Sequence, residues 1–162
     1  MIVADTSALL SLATGEVIAL TLDEFDVFTT QTVVGELDNT SAYDDRHGSA
    51  ASLVLEHRET LSVQSVKAPP VTSDRIDEGE GSCVELTRSL DADFLLTDDL
   101  RAVPELQSLA DARVAISPLV LRILVDRNVV DTDEAKARLE RIGERRDWLG
   151  APIYRRARRL FE

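Results

Sequence analysis

Short apolar runs that end on acids or hydroxyls, each followed by a stretch of helical periodicity, constrain this chain more than any other feature. Met1-Ile2-Val3-Ala4 runs straight into Asp5-Thr6-Ser7, and Phe94-Leu95-Leu96 runs into Thr97-Asp98-Asp99. Runs this short, bounded by polar caps, suit strands buried on both faces of a sheet and not helices. If both are parallel strands, their acids emerge at the carboxyl edge of one sheet, where open α/β folds place ligands.

The same alternation continues along the chain. The pattern predicts strands at Ile2–Ala4, Val27–Thr29, Leu61–Val66, Phe94–Thr97 and Val114–Ile116. Between them it predicts helices through Leu9, Leu10 and Leu12 to Gly15, over Val17–Leu22, from Thr30 or Gln31 through Leu37, over Gly48–His57, over Gly79–Leu90 and over Pro104–Leu109. Pro69-Pro70 breaks the pattern within a loop from Lys67 to Arg75. Ser117-Pro118 reads as a cap and first-turn proline for a helix to Arg127, and Asp131-Thr132-Asp133-Glu134 as a capping box for a helix to Arg145. A last helix runs from Gly150-Ala151-Pro152 to Phe161. Strand and helix in this order imply an α/β protein with a mostly parallel sheet and helices on both faces. The expected organisation is one domain over 1–162, an α/β core over 1–127 with a helical, arginine-rich tail over 128–162.

With 162 residues, 44% of them hydrophobic, the chain can bury about two-thirds of its unfolded surface without staples. The lone cysteine, Cys83, excludes an internal disulfide and a thiolate zinc cluster. No apolar run approaches the roughly 20 residues of a membrane span, and the N-terminus lacks a basic signal region. The expectation is a cytoplasmic protein with no membrane partner.

Charge is unevenly placed. The net charge is -12, with two lysines, Lys67 and Lys136, against sixteen arginines. Residues 136–162 nevertheless hold nine basic side chains against four acids, a local net of +5. That segment either docks on the chain's own acidic body or on a second copy, or it offers arginine forks to phosphate, with Arg145, Arg146, Arg155 and Arg156 as candidate RNA contacts.

Acids outnumber other chemistry-bearing residues. Oxygen donors without histidine or thiolate suit hard cations, Mg²⁺ or Mn²⁺. Two such ions about 3.5 to 4 Å apart clamp the attacking and leaving oxygens of a phosphoryl displacement and lower the pKa of the attacking water. Taken singly, each acid has a plainer role: Asp5 as a helix N-cap, Glu36 as a solvated helix residue, Glu80 as part of an acidic surface with Asp74, Asp77, Glu78 and Glu85, Asp98 and Asp99 as turn residues. His47 and His57 lie far from these acids in sequence, Cys83 reads as buried, and Trp148 reads as an anchor for the last helix. A receiver domain would need paired acids at the first strand, a dehalogenase-type phosphatase an aspartate where Ser7 stands, and no glycine-rich phosphate loop is present.

The ordered set of motifs is more specific than its members. Asp5-Thr6-Ser7 after a first strand, Val33-Val34-Gly35-Glu36-Leu37, Gly79-Glu80 opening a helix and Leu95-Leu96-Thr97-Asp98-Asp99 closing a strand follow the order of PIN-domain nucleases. The chain resembles the VapC-like branch and the short prokaryotic PIN-like proteins over residues 1–127, with a weaker likeness through the tail. That resemblance implies a Rossmann-like three-layer α/β/α sandwich and a Mg²⁺- or Mn²⁺-dependent ribonuclease centre. Asp5, Glu36, Glu80 and Asp99 take the family's four acidic positions, and Asp98 is a fifth candidate ligand. Thr6 or Ser7 would orient Asp5 or a water, and Thr97 heads the strand-end motif of Thr, any residue, Asp. The resemblance also implies an RNA substrate, a role as the toxin of a toxin–antitoxin pair with a small antitoxin as partner, and a homodimer.

Two departures keep an alternative open. Leu100, Arg101, Ala102 and Val103 stand where the family often has a further acid, and the aromatic that often follows the strand is absent. The alternative is a catalytically inactive PIN-like binding or regulatory protein, or a nuclease of RNA processing that is no toxin.

An acid-rich, lysine-poor surface suits a cytoplasm of very high salt, where a Debye length of about 3 Å screens self-repulsion. A halophilic source is therefore expected, and the thermal midpoint should rise by several degrees from low-salt buffer to molar KCl. Equal midpoints would remove this reading.

Overall fold

The computed structural model describes residues 1–67 and 70–162. The apolar runs form five strands, β1 (Ile2–Ala4), β2 (Val27–Thr30), β3 (Ser62–Gln64), β4 (Phe94–Leu96) and β5 (Arg113–Ala115). All four pairings are parallel, in the order β3-β2-β1-β4-β5. The helices are α1 (Thr6–Thr14), α2 (Ile18–Glu24), α3 (Gln31–Ser41), α4 (Arg46–Glu56), α5 (Glu78–Leu90), α6 (Val103–Leu109), α7 (Pro118–Asp126), α8 (Thr132–Arg145) and α9 (Pro152–Arg159).

The central strand explains the layering. Ile2, Val3 and Ala4 are all buried although successive side chains point to opposite faces, so helices cover the sheet on both sides. The fold is the expected α/β/α sandwich. The core joins Leu9 and Leu12 of α1, Leu37 of α3, Leu86 of α5, Leu95 and Leu96 of β4, and Leu121 and Leu124 of α7. Leu139 and Ile142 of α8, Trp148, and Ile153 and Ala157 of α9 are continuous with it, so Trp148 anchors the tail as expected.

Register sets the site. Val3 pairs with Phe28 on one side and Leu95 on the other, and Ala4 pairs with Leu96. β2 and β3 lie to one side of β1, while β4 and β5 lie to the other. The chain therefore reverses direction across the sheet between β1 and β4, which is the switch point where a crevice opens at the carboxyl ends.

Several local expectations are corrected. The third strand is shorter than Leu61–Val66 because β3 is an edge strand, with Ser62 and Gln64 exposed and only Val63 half-buried. Part of the Pro69-Pro70 break lies outside the described residues. The first helix does stop at Gly15 as expected: Glu16 makes the left-handed turn at φ 56°, and Gly15 itself has φ -78°. Glycine is needed there for space, since a Cβ would lie 2.8 Å from Ile142 Cδ1 of α8. Ser117 makes no cap for α7. Asp131 accepts from the Glu134 N–H at 2.7 Å, but the Glu134 carboxylate pairs with Arg138 and leaves the box half made. The complete capping box is Asp77 with Glu80, at the start of α5.

Among the described residues no single helix is long and apolar enough to cross a membrane; α1 and α2 reach that length only as a pair bent by 113°.

Candidate functional site

Four elements deliver acids to one cleft of about 320 Å³ at the carboxyl edge, lined among others by Asp5, Glu36, Asp77, Glu80, Asp99 and Arg146. Asp5 follows β1 and is the N-cap of α1, its Oδ1 accepting from the Ala8 N–H at 2.9 Å. The plainer reading of Asp5 as a helix cap therefore holds, and the cap aims its carboxylate. The Ser7 hydroxyl donates to the same oxygen at 2.7 Å and itself accepts from the Asp98 N–H at 2.8 Å, which ties the ends of β1 and β4 together.

Glu36 lies on α3, after β2. The Thr6 hydroxyl donates to its Oε2, so Thr6 orients Glu36 while Ser7 orients Asp5. Gly79 of α5 packs on the same carboxylate: a Cβ there would lie 2.8 Å from the Glu36 carboxyl carbon and closer to both oxygens. Glu80, only 7% exposed, is the third residue of α5. Its Oε2 accepts from the Asp77 N–H at 3.0 Å, while Asp77 Oδ1 accepts from the Glu80 N–H at 2.8 Å. Asp99 is half-buried beyond β4; its N–H donates to Thr97 Oγ1 at 3.3 Å, and its Oδ1 accepts from the Arg101 N–H at 2.9 Å.

Asp98 does not join them. Its two oxygens accept from the Ser117 N–H and the Ser117 hydroxyl, both at 2.7 Å, and it does not line the cleft. The expectation of Asp98 as a fifth ligand is corrected: Asp98 does not line the cleft, and each of its oxygens is engaged by Ser117 in the strap that binds the end of β4 to the start of α7. The same strap explains why Ser117 caps nothing.

Burial dominates the electrostatics. Desolvation pushes the Asp5 carboxyl from its ordinary 3.8 up to about 7, against the stabilising hydroxyls of Thr97 and Ser7 and the Ala8 N–H. Desolvation, with repulsion from Asp77, Asp5 and Asp99, pushes Glu80 from 4.5 up to about 8. Burial also raises Glu36, although Thr6 and the Gly79 N–H work against it. Among the described residues, Asp5, Glu36 and Glu80 make no ion pair, and Asp99 pairs only with exposed Arg101 at 3.5 Å.

This all-oxygen donor set, desolvated and self-repelling, fits a hard divalent cation in its chemistry. Among the described residues, however, no three such side chains converge closely enough to hold one as they stand. The carboxylates rest on the cleft walls, held by Thr6, Ser7 and the α5 cap.

The tail arginines separate. Arg146, at the end of α8, lines the cleft. Arg145 lines a different groove of about 500 Å³ beside Glu16, Asp44 and Asp45. Arg155 is exposed and donates to the Gly150 carbonyl at 3.1 Å, and Arg156 is exposed. Docking on the acidic body does occur, through Arg141 on Glu16 and Arg138 on the Gly15 and Glu16 carbonyls. Cys83 is buried, and His57 is half-buried at the end of α4. Three participants were not singled out in the sequence: Asp77, whose signal was the Asp-x-x-Glu spacing to Glu80, and Thr40 and Leu10, which only α3 and α1 packing brings to the cleft.

The PIN-domain family profile matches residues 1–162. The chain belongs to the PIN domain family. PIN domains are generally nucleases and generally use divalent metals. No curated protein and no solved structure matches the chain.

Two outcomes follow from the geometry. In metal-free protein the native state keeps protons on Asp5 and Glu80 that the unfolded chain releases near its ordinary carboxylate range, so stability should fall as pH rises from about 4 to about 8. Denaturant titrations across that range should show the decline, and Asp5→Asn with Glu80→Gln should flatten it. Separately, Gly79→Ala should force the Glu36 carboxylate to swing away while changing stability by less than about 1 kcal/mol. Turnover should drop at least about tenfold, as for other misplaced site groups.

Proposed function

We propose that this PIN-domain protein is an endoribonuclease that hydrolyses RNA phosphodiester bonds with Mg²⁺ or Mn²⁺. The observation that carries the reading is the cleft itself: Asp5, Glu36, Glu80 and Asp99 from four separate elements, the first three in no ion pair among the described residues, gathered at the switch point of a parallel sheet. Asp5, Glu36, Glu80 and Asp99 would hold the cation. When bound, it supplies neutralisation of phosphate charge and lowers the pKa of the attacking water.

The chain's own groups do the positioning. Ser7 and the Ala8 N–H fix Asp5, Thr6 and Gly79 fix Glu36, and the Asp77 cap fixes Glu80. The proton-holding tendency of Asp5 and Glu80 favours a state in which cation and protons compete for the same oxygens, so cleavage strengthens as pH rises through the range where they ionise. An acidic chain approaching an acidic polymer relies on screening by salt and on arginine. Arg145, Arg155 and Arg156 are proposed as contacts to RNA phosphates outside the cleft.

The biological setting extends the same proposal. The protein acts in the cytoplasm as the toxin of a toxin–antitoxin pair, as a homodimer whose small antitoxin covers the cleft. A short upstream reading frame for a DNA-binding protein supports that setting, and its absence favours RNA processing.

The deciding test is cleavage of a panel of structured and single-stranded RNAs in molar KCl with Mn²⁺, Mg²⁺ or EDTA. Metal-dependent cutting is expected, with Asp5→Asn and Asp99→Asn each lowering it by more than roughly a hundredfold, beyond the loss typical of groups that only orient ligands. Intact RNA with folded, metal-loaded wild type would transfer the protein to the binding or regulatory alternative.

A further inference from the structure

One cation stands on the wall of the acidic cleft, and it comes from the tail. Arg146 caps the end of α8 and lines the cleft together with Asp5, Glu36, Glu80 and Asp99. Its Nη1 lies 3.1 Å from His47 Nδ1 of α4, and its Nε is buried with no hydrogen-bond partner. A second tie holds the same two helix ends together, with Arg46 Nη1 on the Glu144 carbonyl at 3.4 Å and Arg46 Nη2 at 3.5 Å from Asp147. The guanidinium is therefore braced by His47 and by the junction of α4 and α8.

What it does not do is equally informative. Among the described residues Arg146 makes no ion pair with any cleft carboxylate. A guanidinium acting as a plug would lie on those carboxylates in bidentate pairs, the geometry that carboxylates and arginine prefer. Instead its Nη1 turns to His47 Nδ1, which leaves the cleft carboxylates without a cation in bonding contact and leaves its own buried Nε donor unspent, where an unmade hydrogen bond is costly. A group that satisfies both walls must present negative oxygens to a planar fork while touching a cation held by the acids. A phosphodiester has that chemistry, and an arginine fork matches two of its oxygens.

We propose that Arg146 is a substrate-contacting catalytic residue that binds the scissile phosphate and stabilises the charge developing on it, with His47 as its positioning residue. The proposal rests on the nuclease reading above and adds to it a cation supplied by the chain itself. The tail is thereby part of the active site, because α8 ends at the cleft and its packing on α1 and α7 fixes where the guanidinium stands.

The test combines binding and turnover. Fluorescence anisotropy with a short RNA in EDTA measures affinity without cleavage, and kcat and KM are measured with Mn²⁺, each variant first checked for a wild-type thermal midpoint. Arg146→Ala should weaken metal-free binding about tenfold and lower kcat about a hundredfold, the scale for removing one donor to developing charge. Arg146→Lys should restore most of the binding and little of kcat, since a point charge replaces a fork. His47→Ala should lower kcat with a small change in KM, and His47→Asn, which keeps an acceptor near the Nδ1 position, should recover it. Wild-type binding and kcat in folded Arg146→Ala, or faster cleavage by it, would overturn the proposal and leave the nuclease standing. RNA neither bound nor cut by wild type would overturn both, and wild type that binds RNA without cutting it would overturn the nuclease reading and with it the catalytic role of Arg146.

Discussion

Pairing of β1 with β4 is the contact on which the rest of this molecule depends. Ala4 sits opposite Leu96, so Asp5 and Thr97 leave the sheet side by side, at the point where strand order reverses. Everything at the carboxyl edge is hung from that register. Ser7 bridges Asp5 to the Asp98 backbone, Asp98 bridges to Ser117, and α1, β4 and α7 are joined in one continuous hydrogen-bonded belt. A slip of one residue in β4 would turn its buried leucines to the opposite faces and break the belt at once.

The belt resolves a conflict between folding and chemistry. Buried carboxylates oppose the folded state when charged, and three of the cleft acids are raised by burial. The chain meets that cost with neutral donors in place of basic side chains: hydroxyls from Thr6 and Ser7 and helix-start N–H groups from Ala8 and Asp77. Hydroxyls and caps orient a carboxylate without neutralising it, which leaves its affinity for a divalent ion intact. An arginine at each acid would stabilise the empty cleft and spoil it as a cation site. Arg146, which lines the cleft, is held on His47 and makes no ion pair with the cleft acids among the described residues.

Much of this was legible from residue order alone. Strands of three apolar residues ending on polar caps predicted the parallel sheet, and the motifs around Asp5, Glu36, Glu80 and Asp99 predicted four acids that the structure does place on one cleft. The misreadings cluster where a side chain chose a distant partner over a local one. Ser117 looks like a cap and bonds to Asp98; Glu134 looks like half of a box and bonds to Arg138. Asp98 and Asp99 are adjacent and chemically identical, yet Asp98 bonds to Ser117 as a strap while Asp99 lines the cleft, a difference set by which partner each reaches beyond the end of β4. The arginines of the tail were indistinguishable in sequence, and only α8 packing against α1 brings Arg146 to the cleft and leaves Arg155 and Arg156 outside it.

The sequence by itself determined the alternation of strand and helix and the burial of β1 and β4, since these follow from local periodicity and capping; the four acids were picked out by the order of their motifs, through the resemblance to PIN-domain nucleases. Tertiary structure alone decided which oxygens are spent and which remain, because hydrogen-bond partners such as Ser117 for Asp98, Thr6 for Glu36 and His47 for Arg146 are 19, 30 and 99 residues apart in the chain. No local rule reaches across such separations. Only the closed sheet, by fixing helix ends against strand ends, brings those groups within bonding distance.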